Sequence, residues 1–323
     1  MSPPDREKLK RTLPLIFAYF AAMAIASASR AQVFDVAVPA AGAAAPAQQA
    51  NEAGIYTVNA DGSNVRLLAK VADARWHGWP CWSRDGKQIV FEAQGVNAKP
   101  ADTHLYVVPA SGGASKDLGI GKSANWSPDG KQIAFWMQSG NTGDAQGGVW
   151  QMNADGTGRQ FMFQGRAPRY SPDGTKILTV HNREGGDTVY CYDVLESTRT
   201  SVLKDNFQRL FACSLSPDGK RICITGIRPD KTEMELAIFD FDGVGETAKT
   251  RFAGDIGRIP TWGPGSKILL WVSVDGVRKL HAIDPATDNA PSVVRKSDTV
   301  ETNIEADWSP DGKQIVFSYN PTN

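Results

Sequence analysis

From Ile55 onward the chain alternates short aliphatic or aromatic runs with polar clusters rich in Gly, Pro, Asp and Ser. Runs such as Ile55-Tyr56-Thr57-Val58 and Gln88-Ile89-Val90-Phe91 have strand length and strand composition. The polar cluster that precedes the second kind of run recurs six times. It reads Trp82-Ser83-Arg84-Asp85-Gly86-Lys87, then Trp126 to Lys131, Tyr170 to Thr175, Leu215 to Lys220, Trp262 to Lys267 and Trp308 to Lys313. Successive copies, counted at Ser83, Ser127, Ser171, Ser216, Gly263 and Ser309, are separated by 44, 44, 45, 47 and 46 positions. In Ser-Pro-Asp-Gly, Pro presets φ, Asp bonds its own backbone and Gly takes positive φ, so each copy predicts a hairpin turn. The fifth copy has Gly265 in place of Asp and is one residue shorter, which predicts a tighter, irregular turn there.

A second hairpin lies between these. Ile55-Tyr56-Thr57-Val58-Asn59-Ala60-Asp61-Gly62 recurs at Leu105 and Val149, and more weakly at Val189, Leu236 and Leu280. Each is followed by a short strand, for example Val65 to Leu68. Four strands at a constant period of this length describe a propeller blade. The array opens on a second-type hairpin and ends on a first-type hairpin, 308–319, so the two ends complete one blade. The expected fold is all-β: a six-bladed β-propeller closed by pairing the N-terminal strands with the C-terminal hairpin, a closure that hides strand edges.

The composition refines this picture. The 323 residues are 41% hydrophobic with a formal net charge of zero. Residues 1–31 carry five Lys/Arg and two Asp/Glu, so the remainder has 30 against 33 and a formal charge of −3. No basic surplus points to nucleic acid. Arg6, Lys8, Lys10 and Arg11 precede an apolar, Ala-rich stretch from Leu13 to Ala28 and small residues near Ala31. That order predicts a cleaved signal peptide over 1–31, too short to favour a retained span. An Ala/Pro-rich tether over 32–54 and the propeller over 55–323 would follow, in a periplasmic or secreted protein without a stable membrane span. Export permits disulfides. A three-residue turn loop would set Cys213 opposite Cys223, but directly opposed pairs strain a bridge, and free thiols are expected there, as at Cys81 and Cys191.

The Trp-Ser-Pro-Asp-Gly-Lys-x-Ile-x-Phe motif, paired with Ile-Tyr-x-x-x-x-Asp-Gly, resembles the repeat of TolB-type six-bladed propellers over about 265 positions. The resemblance implies a periplasmic, non-enzymatic propeller whose broad face binds another protein, as TolB does in the Tol–Pal envelope system. TolB carries a small α/β domain ahead of its propeller. Here only the tether fills that place, so a free-standing TolB-like propeller is expected.

Candidate chemistry is sparse. The four histidines, His77, His104, His181 and His281, lack metal-ligand spacing. No Gly-x-Ser-x-Gly elbow is present, and the Gly-rich segments near Gly140 and Asp155 do not open helices as phosphate loops do. The turn Asp residues stand one per blade, without the clustered oxygens calcium needs. No catalytic constellation, metal or cofactor is expected. What varies between repeats is the segment entering each first strand, where a scaffold hosts specificity. Those segments supply Arg166, Arg169, Arg209, Arg258 and Lys122 against Glu305 and Asp307, with Trp79 and Phe211 as aromatic anchors and His77 beside them. The expected function is binding of a protein or acidic peptide at that net-positive mouth by a monomer. The alternative is a polysaccharide lyase or hydrolase in the same funnel, using Arg166, Arg169 and His77 with Glu305 and Asp307 as carboxylates.

Overall fold

The computed structural model describes residues 52–140, 146–183, 186–203, 207–241, 249–274, 277–286, 292–295 and 305–321. The predicted signal peptide and nearly all of the predicted tether lie outside these residues. The described residues form six antiparallel four-stranded sheets, and their only helical elements are two short 3-10 turns. The first blade is β3 (Ala74–Trp82), β4 (Gln88–Gly95), β5 (His104–Pro109) and β6 (Lys116–Ile120), hydrogen-bonded in that order.

First strands ring the centre. They are β3, β7 (Lys122–Trp126), β11 (Arg166–Tyr170), β15 (Arg209–Leu215), β19 (Thr261–Trp262) and β23 (Ala306–Trp308). Each touches the next, and β23 touches β3, so the ring is closed. The closing blade has the order β2 (Arg66–Ala69), β1 (Gly54–Asn59), β24 (Gln314–Tyr319), β23. Gly54 pairs with Tyr319 and Asn59 with Gln314. The propeller is thus closed by both ends of the chain, with β1 beginning one position earlier than expected.

Second strands are the most buried: Ile89, Val90 and Phe91 are all 0% exposed. The tryptophans before the turns, Trp82, Trp126, Trp262 and Trp308, are buried. Packing crosses blade boundaries. Ile55 and Leu68 of the closing blade share one cluster with Trp82, Ile89 and Phe91 of the first.

Five turns repeat one hydrogen-bond set. In the first, Ser83 Oγ donates to Asp85 Oδ1 at 2.7 Å and accepts from Gln88 N–H at 2.9 Å, while Asp85 also accepts from Lys87 N–H at 3.0 Å. Gly86 has φ 70°, a conformation natural to glycine. Ser83 pairs with Gln88 and Ser216 with Arg221, so the loop holds four residues, not three. That single residue moves the register: Cys213 faces Ile224, and Ser214 faces Cys223. The opposition expected of Cys213 and Cys223 is therefore overturned. Alternate residues face opposite sides of a strand, and the two thiols lie in different hydrophobic clusters. All four cysteines are free, and burial pushes the thiols of Cys81 and Cys213 up to about 12.

The fifth turn is the tighter one, a 3-10 turn over Pro264–Ser266 with Gly263 N–H donating to Lys267 O. Gly263 stands where the other copies have Ser, and packing explains it. A Cβ there would lie 2.1 Å from the Trp308 indole. Restoring the repeat's serine, Gly263→Ser, is expected to destabilise the propeller by roughly 1–3 kcal/mol through overpacking. An unchanged urea midpoint would contradict this.

Candidate functional site

Three first strands carry a single left-handed residue: Trp79 at φ 46°, Ser123 at 54° and Ala167 at 51°. Each sits at a register shift between first and second strand. Such bulges re-aim side chains. At Trp79 and Ser123 they also turn a backbone N–H toward the preceding blade, where a carboxylate receives it. Glu305 accepts from Trp79 N–H, and Glu92 accepts from Ser123 N–H. One step nearer the turns, Asp307 accepts from Trp82 N–H at 2.9 Å, Asn125 from Tyr170 N–H at 2.8 Å and Ser214 from Trp262 N–H at 3.2 Å. The side chain just before each pre-turn residue is therefore often an inter-blade clamp.

Two cavities lie along the axis. One, of about 250 Å³, is bounded by the turns, with Pro128, Pro172, Pro217, Pro264 and Pro310 around it and Arg169 and Asp307 within its lining. The other, of about 440 Å³, opens where the first strands begin. Four indoles, Trp76, Trp79, Trp136 and Trp271, line it together with Glu92, Gln94, Lys122, Arg258 and Glu305. Trp79 and Ile259 line both cavities and mark where they meet.

The residues expected at the mouth separate into three groups. Lys122, Trp79, Arg258 and Glu305 do line the second cavity. Beside them, two exposed guanidinium groups lie over the half-buried Phe211 ring, Arg209 at 5.0 Å and Arg258 at 5.1 Å from its centre. Lys122 Nζ lies 5.6 Å from the Trp136 ring centre. Arg169 and Asp307 lie deeper, in the turn-side cavity, with the Arg169 guanidinium over Trp79 at 5.8 Å. Arg166 belongs to the wall: it donates to Asp187 Oδ2 and Phe211 O at 3.1 Å, to Asn182 Oδ1 at 3.0 Å and to Leu210 O at 2.6 Å.

His77 cannot present a side chain to a partner, which corrects its place in the expected site. It is 0% exposed. Its Nε2 accepts from Val71 N–H at 3.0 Å, and its backbone exchanges two bonds with the Asn320 side chain, at 2.9 and 2.7 Å. Burial lowers its pKa to about 4, so it is a neutral fastener between the first blade and the last strand. Glu305 and Asp307 do reach toward the same neighbouring blade, but they line different cavities and do not form one catalytic pair.

Glu92 was not foreseen. Its slot in the second strand is filled by Trp136, Val180, Thr225, Trp271 and Ser318 in the other blades, so a lone acid in that series was the available signal. At 2% exposure its pKa is raised to about 8, first by burial and then by the Glu305 charge. Burial raises Glu305 to about 7, against the pull of Trp79 N–H, Arg169 and Arg258. Burial also draws the Lys122 ammonium below its ordinary range. Among the described residues, no group of three or more His, Cys, Asp or Glu is placed to hold a metal ion, and no helix is long and apolar enough to cross a membrane.

No protein-family model matches the chain, and no curated protein matches it. Solved structures do. A protein assigned as TolB in Agrobacterium tumefaciens superposes with a TM-score of 0.66 at 19% identity, over 84% of this chain and 99% of that one. TolB from Acinetobacter baumannii gives 0.58 at 17% identity, over 83% of this chain and 63% of that one, so this chain spans less than two thirds of that protein. An oligogalacturonate lyase in complex with manganese gives 0.52 at 12% identity, over 84% and 98%. The chain has the fold of a TolB-type six-bladed propeller.

Proposed function

We propose that this chain is an exported, non-enzymatic propeller of TolB type that binds a protein or peptide partner at the Trp-lined mouth. The observation that carries this reading is the rim stack of Arg209, Phe211 and Arg258. An aromatic ring with two exposed guanidinium groups over it, neither ion-paired to a described carboxylate, stands beside a funnel with four tryptophans. Arg and large aromatics are the residue types that most often dominate interfaces. Lys122 adds a third cation to the mouth. Export rests on residues 1–31, with the periplasm or the exterior as destination, and a monomer suffices because all six blades come from one chain.

The test places a photo-crosslinking amino acid at position 211 in the full chain within producing cells. The control is position 195, where Leu195 is 84% exposed on the link between β13 (Gly186–Asp193) and β14 (Arg199–Ser201), away from the mouth. A discrete protein adduct at 211 and not at 195 is expected. Equal adducts, or none at 211, would contradict the reading.

A second reading is favoured by Glu92 alone. A carboxylic acid kept protonated at neutral pH is what the leaving oxygen of a glycosidic bond needs, and the lyase of similar fold suggests oligogalacturonate as the first substrate to try. Turnover of a glycan that disappears in Glu92→Gln would replace the first reading with this one.

A further inference from the structure

Gln94 is 7% exposed and lines the second cavity. Its Oε1 accepts two bonds from Arg75, at 2.8 and 3.2 Å, which fixes the way the amide is turned. Among the described residues its Nε2 has no hydrogen-bond partner, and neither has the buried Nε1 of Trp79, which lines the same cavity. Both orphaned atoms are donors. Buried donors are normally paired, and an exception calls for a physical reason. In a cavity wall, a bound group bearing acceptors supplies one.

The charges agree with the orphans. Lys122 and Arg258 line the cavity, and no described carboxylate lies within ion-pair distance of either. The two acids beside them already accept backbone bonds, Glu92 from Ser123 and Glu305 from Trp79. Glu305 lifts the Glu92 pKa further after burial, while Ser123 N–H, Lys122 and Arg169 oppose, and the result is about 8. At neutral pH Glu92 is mostly uncharged and offers one more donor. A cationic group entering here would meet Lys122, Arg258 and donor N–H groups, with Glu305, already accepting from Trp79 N–H, as the one partly ionised acid.

We propose that the second cavity is a carboxylate pocket, in which an acidic side chain or the C-terminal carboxylate of a partner peptide lodges between Lys122 and Arg258 and accepts from Gln94 Nε2. The proposal rests on partner binding at this mouth and names the group the partner inserts. The volume, about 440 Å³, lies in the range of small-ligand pockets, roughly 300–1,000 Å³, and suits one side chain or a chain end. The indole walls cover its aliphatic stem and keep water from the charged contact, which strengthens it.

Calorimetric titration of the full chain tests this with N-acetyl-tetraglutamate amide, N-acetyl-tetra-alanine free acid, N-acetyl-tetra-alanine amide, N-acetyl-tetralysine amide and a galacturonate oligomer. One of the two acidic peptides is expected to bind, and which one identifies a side-chain or a C-terminal carboxylate. Lys122→Gln and Arg258→Gln should each weaken that binding roughly tenfold, the value of one charged hydrogen bond, with melting unchanged. Affinity should fall from about pH 6 to about pH 9 as Glu305, near 7, and then Glu92, near 8, ionise, and Glu92→Gln should remove the upper part of that fall. Tighter binding of the lysine peptide, tighter binding of the uronate, or acidic binding untouched by both cation variants would overturn the proposal. An adduct at position 211 without any acidic-peptide binding removes the pocket alone. Acidic-peptide binding without that adduct removes instead the reading of the mouth as a partner site.

Discussion

A chain that stops at Lys313 loses the cooperative unfolding transition of the full protein. It lacks β24, the strand between β1 and β23 in the closing blade. Ile315, Val316 and Phe317 are 0% exposed and Tyr319 is 5%, and large buried side chains stabilise by roughly 1.5–3 kcal/mol each. Their loss is on the order of 10 kcal/mol, comparable to the whole stability of a domain, about 5–15 kcal/mol. The truncation also unpairs β1 and β23, leaving open edges, and removes Asn320 from His77. Circular dichroism against urea is expected to show a shallow, low-midpoint transition. A midpoint and slope equal to those of the full chain would mean that the closing blade does not hold the ring.

The second large effect depends on pH. Glu92 titrates near its ordinary 4.5 in the unfolded chain and near 8 in the folded one. Between those values the folded state binds the extra proton, so stability falls as pH rises through that window. At about 1.4 kcal/mol per unit of separation, Glu92→Gln should gain several kcal/mol over wild type near pH 9 and little near pH 5. His77 acts with the opposite sign: lowered to about 4 from 6.5, it removes stability as pH falls through that interval. Glu305, raised to about 7, acts with the sign of Glu92, so His77 offsets only part of the loss between about pH 4.5 and 6.5, and stability declines from the acid end of this range upward. Urea midpoints of wild type and Glu92→Gln across this range decide the matter. Parallel curves at all pH values would show that Glu92 ionises freely.

The architecture was legible because a turn is a local device. Ser83, Asp85 and Gly86 bond one another across five positions, and repetition of that unit reports the blade number without knowledge of any distant contact. The register at Cys213 was not legible. Whether Ser216 pairs with Lys220 or Arg221 is decided by Ser216 Oγ accepting from Arg221 N–H at 2.9 Å, and moving the pairing by one position separates the two thiols. The loss of serine at Gly263 has its cause in Trp308, which lies one blade away.

The mouth was half legible. Lys122, Arg209, Phe211 and Arg258 show themselves as variable residues at strand entrances, and they do gather there. Charge alone cannot tell a free cation from a satisfied one, and so Arg166, tied to Asp187 and two carbonyls, looked the same as Arg258. Glu92 was hidden because it comes from a second strand, which the repeat otherwise fills with core residues. Its slot faces the funnel, as Trp136 and Trp271 in the same slot also do, and the bulge at Ser123 presents an N–H to it.

A crystal structure of the full propeller with N-acetyl-tetraglutamate amide tests the central claim most directly. The account predicts a peptide carboxylate within about 3 Å of Lys122 Nζ and the Arg258 guanidinium, beneath the Phe211 stack. A peptide seated instead in the proline-ringed opening, or along an outer strand, would contradict it.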